Sequence, residues 1–356
     1  MPSRARKWIV AAVVLVVVGY VLYRSSGFLH LGDFSGSKLL GAVREANPYY
    51  LLLSLITIYG CYAIRSLRWK IFQQNLGPAH FWTIYRLTLA GFAAVFLLGR
   101  AGEPVRPLLI AKKEQVPIAD TFGIYVLERL FDMASAAVIA ALGLVIFGWH
   151  PHTGETASHL ERAAKTTGTL LFAGVLAAVG ALVYLRLHGT AMMERRLEGW
   201  LGGTGWRRAV ARMILGFARG VQTIRTWKDL SLATGYSALH WFLVVLVYYW
   251  VSQSFGGKLG SLTLADGMLV LAFTLVGSTV QLPGVGGGSQ AGSIIAYTAI
   301  FGVEREPAVA AAMVIWMITF AGCSLAGVPM LLKEGWHLRD LRRMAEEEKK
   351  EEAAVR

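Results

Sequence analysis

The chain of 356 residues is 55% hydrophobic and only 16% charged, and its mean hydropathy is +0.51. A soluble domain carries about 25% charged residues, so the composition excludes an ordinary soluble protein. The long apolar runs predict an all-α polytopic membrane protein. The net charge of +13 does not indicate a nucleic-acid partner, because most basic residues flank apolar runs, where they set topology and contact anionic lipid.

In chain order, most of the apolar runs are long enough to cross a bilayer, which takes about 20 helical residues. Six such crossings are predicted, at residues 8–23, 49–64, 121–147, 168–186, 231–253 and 308–332. The second is short for a span, and its helix can extend into residues 65–69. Two further apolar regions, 83–111 and 264–301, are interrupted by Gly- and Pro-rich stretches, and we expect each to be a re-entrant helical hairpin. With the N-terminus inside, this scheme places most Lys and Arg residues, Arg65 and Arg68 included, on the cytoplasmic side. Both termini are therefore predicted to be cytoplasmic, with the protein in the plasma (inner) membrane.

The same scheme divides the transmembrane domain, residues 1–338, into two units that enter the membrane from opposite sides. Each unit is a crossing, a re-entrant hairpin and a second crossing, and inverted repeats with broken helices are typical of transporters. Between the units, residues 190–230 are predicted to form a basic interfacial segment, either on anionic headgroups or packed over the bundle. Residues 339–356 are predicted to be a charged cytoplasmic tail.

The first broken stretch is Gly99–Pro107, with the sequence GRAGEPVRP. It places Arg100, Glu103 and Arg106 between apolar runs, where each charge costs at least ~2.5–3.5 kcal/mol. Such charges are explained either by a network that locks the hairpin to its neighbour or by a polar substrate site. Arginine binds phosphate oxygens in a bidentate manner and stays protonated, so this stretch favours an anionic headgroup as ligand.

The crossing at 121–147 carries Glu128, Arg129 and Asp132. Glu128 and Asp132 are spaced i, i+4 and share a helix face, while Arg129 and Asp132 are spaced i, i+3 and can pair. We therefore expect these carboxylates to meet the arginines of the first hairpin. Both a buried ionic network and a substrate site remain open.

The second broken stretch supplies glycines ahead of a half-helix. Gly284, Gly286 and Gly287 are expected to expose backbone N–H groups there, which favours an anion, although a glycine-rich packing turn is the alternative. Gln290 adds a neutral polar group. The sequence has no nucleotide loop, no zinc-protease motif and no nucleophile elbow, so no cofactor, no metal and no catalytic residue are expected. Cys61 and Cys323 are expected to be buried small side chains.

Three motifs carry a resemblance: GRAGEPVRP at Gly99–Pro107, VLERLFDM at Val126–Met133 and QLPGVGGGSQ at Gln281–Gln290. With them, about residues 8–335 resemble the flippase-like integral membrane family, also called the lysylphosphatidylglycerol synthase transmembrane region. The loop of that family usually reads PGG-x-G and ends in Glu. Here Val285 replaces a glycine and Gln290 replaces the acid, so the resemblance does not extend to a coupling role for an acid at this position.

The resemblance implies that the protein moves an anionic lipid, a phospholipid or a polyprenyl-phosphate-linked lipid, between leaflets. Arg100 or Arg106 would hold the phosphate. In bifunctional relatives an aminoacyl-transferase domain follows the membrane part, but the residues after 332 are too few to form one. Two alternatives stay open. One is a glycosyltransferase-like enzyme acting on lipid-linked sugars, with acids in the outer loops, namely Asp33, Glu45, Glu155 and Glu161; the other is an accessory subunit or small-solute transporter of an envelope pathway. The oligomeric state is open, a homo-oligomer included.

Overall fold

The computed structural model describes residues 43–149, 226–278 and 286–334, together with Gly41, Gln281–Leu282 and isolated helical residues between 166 and 180. From Ala46 onward these residues belong to one compact unit. The predicted crossing 8–23 and the tail 339–356 lie outside the described residues. Most of the predicted crossing 168–186 also lies outside the described residues, which include only isolated helical positions there. The predicted interfacial segment 190–230 lies outside them up to residue 225.

The regular structure of the described residues is helical apart from one hairpin of two short strands. The helices are α1 Pro48–Gln73, α2 Phe81–Leu98, α3 Val105–Glu114, α4 Ile118–Trp149, α5 Trp227–Ser254, α6 Gly257–Gly260, α7 Leu264–Gly277, α8 Gly288–Ile295, α9 Arg305–Trp316 and α10 Gly322–Lys333. A 3₁₀ turn covers Gly99–Gly102, π turns cover Ala296–Ile300 and Met317–Ala321, and β1 Gln281–Leu282 pairs antiparallel with β2 Gly286–Gly287.

Within this part of the chain, five helical spans are long and apolar enough to cross a membrane. They are α1, α2, residues 120–146 of α4, α5, and the span 305–333 made of α9, a π turn and α10. The prediction of an all-α polytopic membrane protein is therefore confirmed. The second π turn lets α9 continue into α10 without a break, so the crossing expected at 308–332 is one helix with a local bulge.

Helix α1 continues past residue 64 through residues 65–69, into which the short predicted crossing could extend, and ends at Gln73. Arg65 and Arg68 are 7% and 1% exposed within it, so their assignment to a cytoplasmic loop was wrong. Neither arginine needs to reach water at the end of a helix, because carboxylates on α4 neutralise both inside the bundle.

Helices α1 and α5 pack antiparallel along their whole lengths. The N–H of Asn47, just before α1, donates to the carbonyl oxygen of Ser254 at the end of α5 over 2.7 Å. At the other end, Gln74 Nε2 donates to Asp229 Oδ1 over 3.1 Å. This pair forms the centre of the described unit, and the chain leaves it for the two hairpins at opposite ends.

The first helical hairpin consists of α2, the 3₁₀ turn and α3, and it folds back on itself. A Cβ on Gly91 would overlap the Cβ of Arg106, and one on Gly102 would overlap the Ala94 carbonyl, so only glycine permits so close an approach. Helix α3 ends where Glu114 Oε2 lies 2.8 Å from Nδ1 of His80, the residue before α2. The hairpin therefore begins and ends at the same level.

The second helical hairpin consists of α7, the β1–β2 turn, α8 and the first π turn. A Cβ on Gly277 would overlap the carbonyl oxygen of Gly288, and one on Gly292 would overlap that of Phe273. Lys258, ahead of α7, donates from Nζ to the Gly302 carbonyl oxygen over 2.9 Å. This hairpin also begins and ends at one level, at the opposite end of the α1–α5 pair from the first.

The first helix of each hairpin packs on the last long helix of the other half. Gly143 of α4 lies against Met268 and Leu269 of α7, and Gly327 of α10 lies against Leu89 and Ala93 of α2. Helix α3 packs on α4 at one end of the α1–α5 pair. An apolar core forms there, around Trp69, Phe72, Ile84 and Ile110.

Candidate functional site

Glu128 is the centre of a buried ionic cluster. Its side chain is 0% exposed and forms ion pairs with Arg65 and Arg106, and its Oε1 lies 3.2 Å from Arg68 Nη2. The three arginines come from α1 and α3, so one carboxylate on α4 holds three helices together. A buried ion needs such partners, because an uncompensated charge in the interior costs several kcal/mol.

Asp132, one turn further along α4, extends the cluster. It pairs with Arg65, and its Oδ1 lies 2.7 Å from Arg68 Nη2. Its Oδ2 lies 3.3 Å from Arg129 Nη2, which is the predicted i, i+3 pair. On α5, Ser237 Oγ accepts from Arg68 over 2.8 Å, and His240 Nε2 lies 3.5 Å from Arg65 Nη1.

Three members of the cluster, Arg65, Arg68 and His240, were missed by the sequence analysis. The signal available for the first two was their i, i+3 spacing directly after an apolar run that is short for a crossing. Extending that run through both arginines would have placed them on one face of the same helix. His240 sits alone in an apolar helix, and its contacts with α1 depend on packing that the sequence does not show.

Arg106 is buried between an ion pair and two aromatic rings. It is 4% exposed, and its guanidinium carbon lies 4.5 Å from the ring centre of Trp69 and 5.7 Å from that of Phe92. Cation–π contacts of this kind stabilise a desolvated arginine. Its ion pair with Glu128 makes Arg106 part of the wall of the site. Arg100 lies in the 3₁₀ turn, and its side chain lies outside the described part.

A small cleft of about 50 Å³ opens beside the cluster, lined by Gly91, Phe92, Val95, Glu103, Arg106, Tyr125 and Arg129. A water molecule needs about 10–15 Å³ by the same measure, so the cleft has room for a few waters. It lies against the turn of the first hairpin. The predicted residues Glu103, Arg106 and Arg129 therefore come together at one opening.

Arg129 is the most accessible described arginine of this group, with a side chain 38% exposed. Its guanidinium carbon lies 5.3 Å from the ring centre of Tyr125, and its Nε has no hydrogen-bond partner among the described residues. The Tyr125 hydroxyl donates to Glu103 Oε2. Arg129 is thus fixed by one carboxylate and one ring, with donors left for a further ligand.

The charges around the cleft do not balance within the described side chains. Four arginines, at 65, 68, 106 and 129, face three carboxylates, at 103, 128 and 132. The excess of one positive charge is weakly screened in the apolar surroundings. Such a site attracts an anion.

The second broken stretch uses its N–H groups differently from the expectation. The N–H of Gly287 donates to Gln290 Oε1 over 2.6 Å, and Ser289 Oγ donates to the same oxygen over 3.0 Å. Gly286 lies in β2 opposite Leu282, and Gly284 lies outside the described residues. The neutral amide of Gln290 therefore caps α8, where the sequence suggested an open anion site.

Comparison with known proteins agrees with this architecture. The family described as the lysylphosphatidylglycerol synthase TM region matches residues 8–327. The chain belongs to this family. The resemblance inferred from the three motifs is therefore confirmed over most of the sequence, and the chain is a multi-pass membrane protein, which is consistent with a lipid-related function.

The chain is also similar to two archaeal membrane proteins. A UPF0104 membrane protein of Methanothermobacter thermautotrophicus is 24% identical over 336 residues, which cover 88% of this chain and 93% of the relative. A UPF0104 membrane protein of Methanocaldococcus jannaschii is 29% identical over 121 residues, or 33% of this chain and 35% of the relative. No solved structure matches the chain.

Proposed function

We propose that this protein moves an anionic lipid, a phospholipid or a polyprenyl-phosphate-linked lipid, between the leaflets of the plasma membrane. The headgroup enters the cleft at the first hairpin, and its phosphate binds Arg129, with Arg106 as the charged wall behind it. The acyl or prenyl tails stay in the bilayer. The observation that carries the proposal is a cleft with excess positive charge among apolar helices.

The depth of the cleft suits this role. Arg129 lies eleven residues after the start of α4, which is ~16 Å at 1.5 Å per residue. The hydrocarbon core is about 30 Å thick, so a crossing α4 carries Arg129 near the midplane. A headgroup at that depth has completed half of its path.

The hairpins supply the route in this proposal. Both fold back within the unit, begin at opposite ends of the α1–α5 pair, and pack on the last helix of the other half. In the membrane they are re-entrant, and the two halves form an inverted repeat of the transporter type. Broken backbone at this depth is tolerated where protein or a watery cavity covers it.

The test uses proteoliposomes containing a fluorescent phosphatidylglycerol, with a membrane-impermeant quencher that reports which leaflet holds the label. Arg129→Gln should slow lipid movement between leaflets at least tenfold, because the cleft loses the accessible guanidinium that donates hydrogen bonds to the phosphate. The matched control is Arg86→Gln on α2, where the arginine donates to the Trp82 carbonyl oxygen at an exposed position. Equal rates for wild type and Arg129→Gln would refute the site; equal loss in both variants would point to a general charge effect.

A further inference from the structure

The second half of the chain contains a polar crevice. It lies beside the second hairpin, as the charged cleft of the first half lies beside the first hairpin. It is lined by residues of α5, α7, α8 and α9 and of the π turn Met317–Ala321. The charged cleft lies between the first hairpin and α4, and this crevice lies between the second hairpin and α9. Its polar lining residues are Tyr248, Thr274, Ser289, Gln290, Ser293, Trp316 and Thr319.

The crevice contains no charged side chain among the residues that line it. Its hydroxyl groups donate inward to the protein: Thr319 to the Ile315 carbonyl over 2.7 Å, Thr274 to that of Val270 over 2.7 Å. Ser293 Oγ lies 2.7 Å from Thr274 Oγ1 and 3.1 Å from the Ser289 carbonyl oxygen, so these two lining hydroxyls also contact each other. A hydroxyl oxygen that donates its hydrogen can still accept one, so the crevice offers acceptors.

The crevice also holds a donor. Trp316 lines it, and the indole N–H of Trp316 is buried and has no hydrogen-bond partner among the described residues. Buried polar groups normally have partners. Acceptor oxygens beside an N–H donor fit a group that both donates and accepts, which is a hydroxyl. A cation is disfavoured, because no carboxylate lines the crevice to neutralise it.

An aromatic pair connects α2 with Trp316, a wall of the crevice. The ring centres of Phe96 and Trp316 lie 5.8 Å apart. Phe96 lies one helical turn beyond Phe92, a wall of the charged cleft, so the face of α2 that lines the cleft leads to the crevice. As it stands, the crevice has no room for a water molecule, and the adjoining π turn at Met317–Ala321 is the kind of helical irregularity that marks functional sites.

We propose that this crevice is a second headgroup site, which binds the uncharged, hydroxylated part of the lipid, either a glycerol or a sugar, when the Phe96–Trp316 pair separates. The inference rests on the proposed transport function and adds to it the substrate class. The charged cleft binds the phosphate, and the crevice selects lipids whose headgroup carries neighbouring hydroxyls.

The test compares three anionic lipids in the same proteoliposomes: phosphatidylglycerol, a glucosyl lipid in which a phosphate links the glucose to a polyprenyl chain, and phosphatidic acid, which lacks a hydroxylated headgroup. Thr274→Val and Ser293→Ala remove hydroxyls at nearly unchanged volume. Each should slow phosphatidylglycerol or the glucosyl lipid at least tenfold and change phosphatidic acid less than twofold. Which of the two hydroxylated lipids is affected identifies glycerol or sugar as the ligand.

The matched control is Thr298→Val, which removes a hydroxyl with the same i−4 backbone bond, to Ile294, outside the lining of the crevice. All three lipids should move at wild-type rates in this variant. Equal slowing of the three lipids by Thr274→Val, or no slowing of any, would overturn the inference while leaving the transport function standing.

A binding measurement separates the two proposals. Native mass spectrometry in detergent should show phosphatidylglycerol or the glucosyl lipid retained by wild type at least tenfold more than by Thr274→Val, with phosphatidic acid retained alike. If wild-type vesicles move no lipid, the proposed transport function is refuted, and the binding preference still shows whether the crevice is a headgroup site. Equal retention of each lipid by wild type and variant would refute the crevice as a site.

Discussion

Replacing Glu128 by Gln is expected to be the most destabilising single change in the charged cluster. Its side chain is fully buried and pairs with Arg65, Arg68 and Arg106. The substitution keeps the shape, but among the described residues it leaves Arg65 and Arg68 paired with Asp132 alone and leaves Arg106 without an ion pair. Removing one partner of a buried ion pair costs about 3–5 kcal/mol, and we expect a loss of at least ~3 kcal/mol in the free energy of unfolding.

The comparison variant is Glu103→Gln. Glu103 is half-buried and accepts a hydrogen bond from Tyr125, so its replacement should cost about 1 kcal/mol. The double variant Glu128→Gln/Arg106→Gln removes the stranded charge together with its partner. Its loss should be smaller than the sum of the two single losses by more than ~1 kcal/mol, because residues in one ionic network are coupled.

Unfolding by SDS titration in mixed micelles, followed by tryptophan fluorescence, measures all of these free energies. The result that would refute the reasoning is a loss below ~1 kcal/mol for Glu128→Gln together with additive effects in the double variant. Glu128 would then be surrounded by water, and the cluster would contribute little to holding α1, α3 and α4 together.

Two further predictions follow from the same helices. Gly91→Ala should open the first hairpin, because the new Cβ would overlap Arg106, and overpacking of this kind lowers stability by ~1–3 kcal/mol. In the control Gly60→Ala the new Cβ meets nothing within 4 Å, so the higher helix propensity of alanine should stabilise α1 by ~1 kcal/mol. The SDS titration measures both changes. Lys112→Cys and Lys258→Cys each introduce a single cysteine into a background without Cys61 and Cys323. An impermeant thiol reagent should label one of these cysteines in inside-out vesicles and the other in right-side-out vesicles. Labelling of both cysteines in the same type of vesicle would contradict the inverted arrangement.

The long helices were predictable because their apolar runs exceed what a soluble protein tolerates. The crossings expected at 121–147, 231–253 and 308–332 each fall within a helical span of the structure. These spans begin three or four residues earlier than predicted and end one or two residues later. The turns of both hairpins were predictable because Gly and Pro interrupt apolar sequence there.

The composition of the charged cluster was predictable in part. The i, i+3 and i, i+4 spacings of Glu128, Arg129 and Asp132 fix a shared helix face, and the structure places that face toward Arg106. Arg65 and Arg68 could not be assigned in the same way, because an arginine beside an apolar run looks like a flanking residue until its partner is known. That partner, Glu128, lies about 60 residues away in sequence.

The two hairpins share an architecture but not a chemistry. The first is tied to the bundle by ion pairs around Glu128, and breaking those in an apolar interior requires several kcal/mol. The second is tied to its neighbours by packing such as Gly143 of α4 against Leu269, and by the hydroxyl pair of Tyr297 with Ser252 of α5 at 2.8 Å, a hydrogen bond worth about 1 kcal/mol. The first hairpin is therefore suited to hold a charge in fixed geometry. The second can separate from its neighbours at lower cost, as a crevice that must open for its ligand requires.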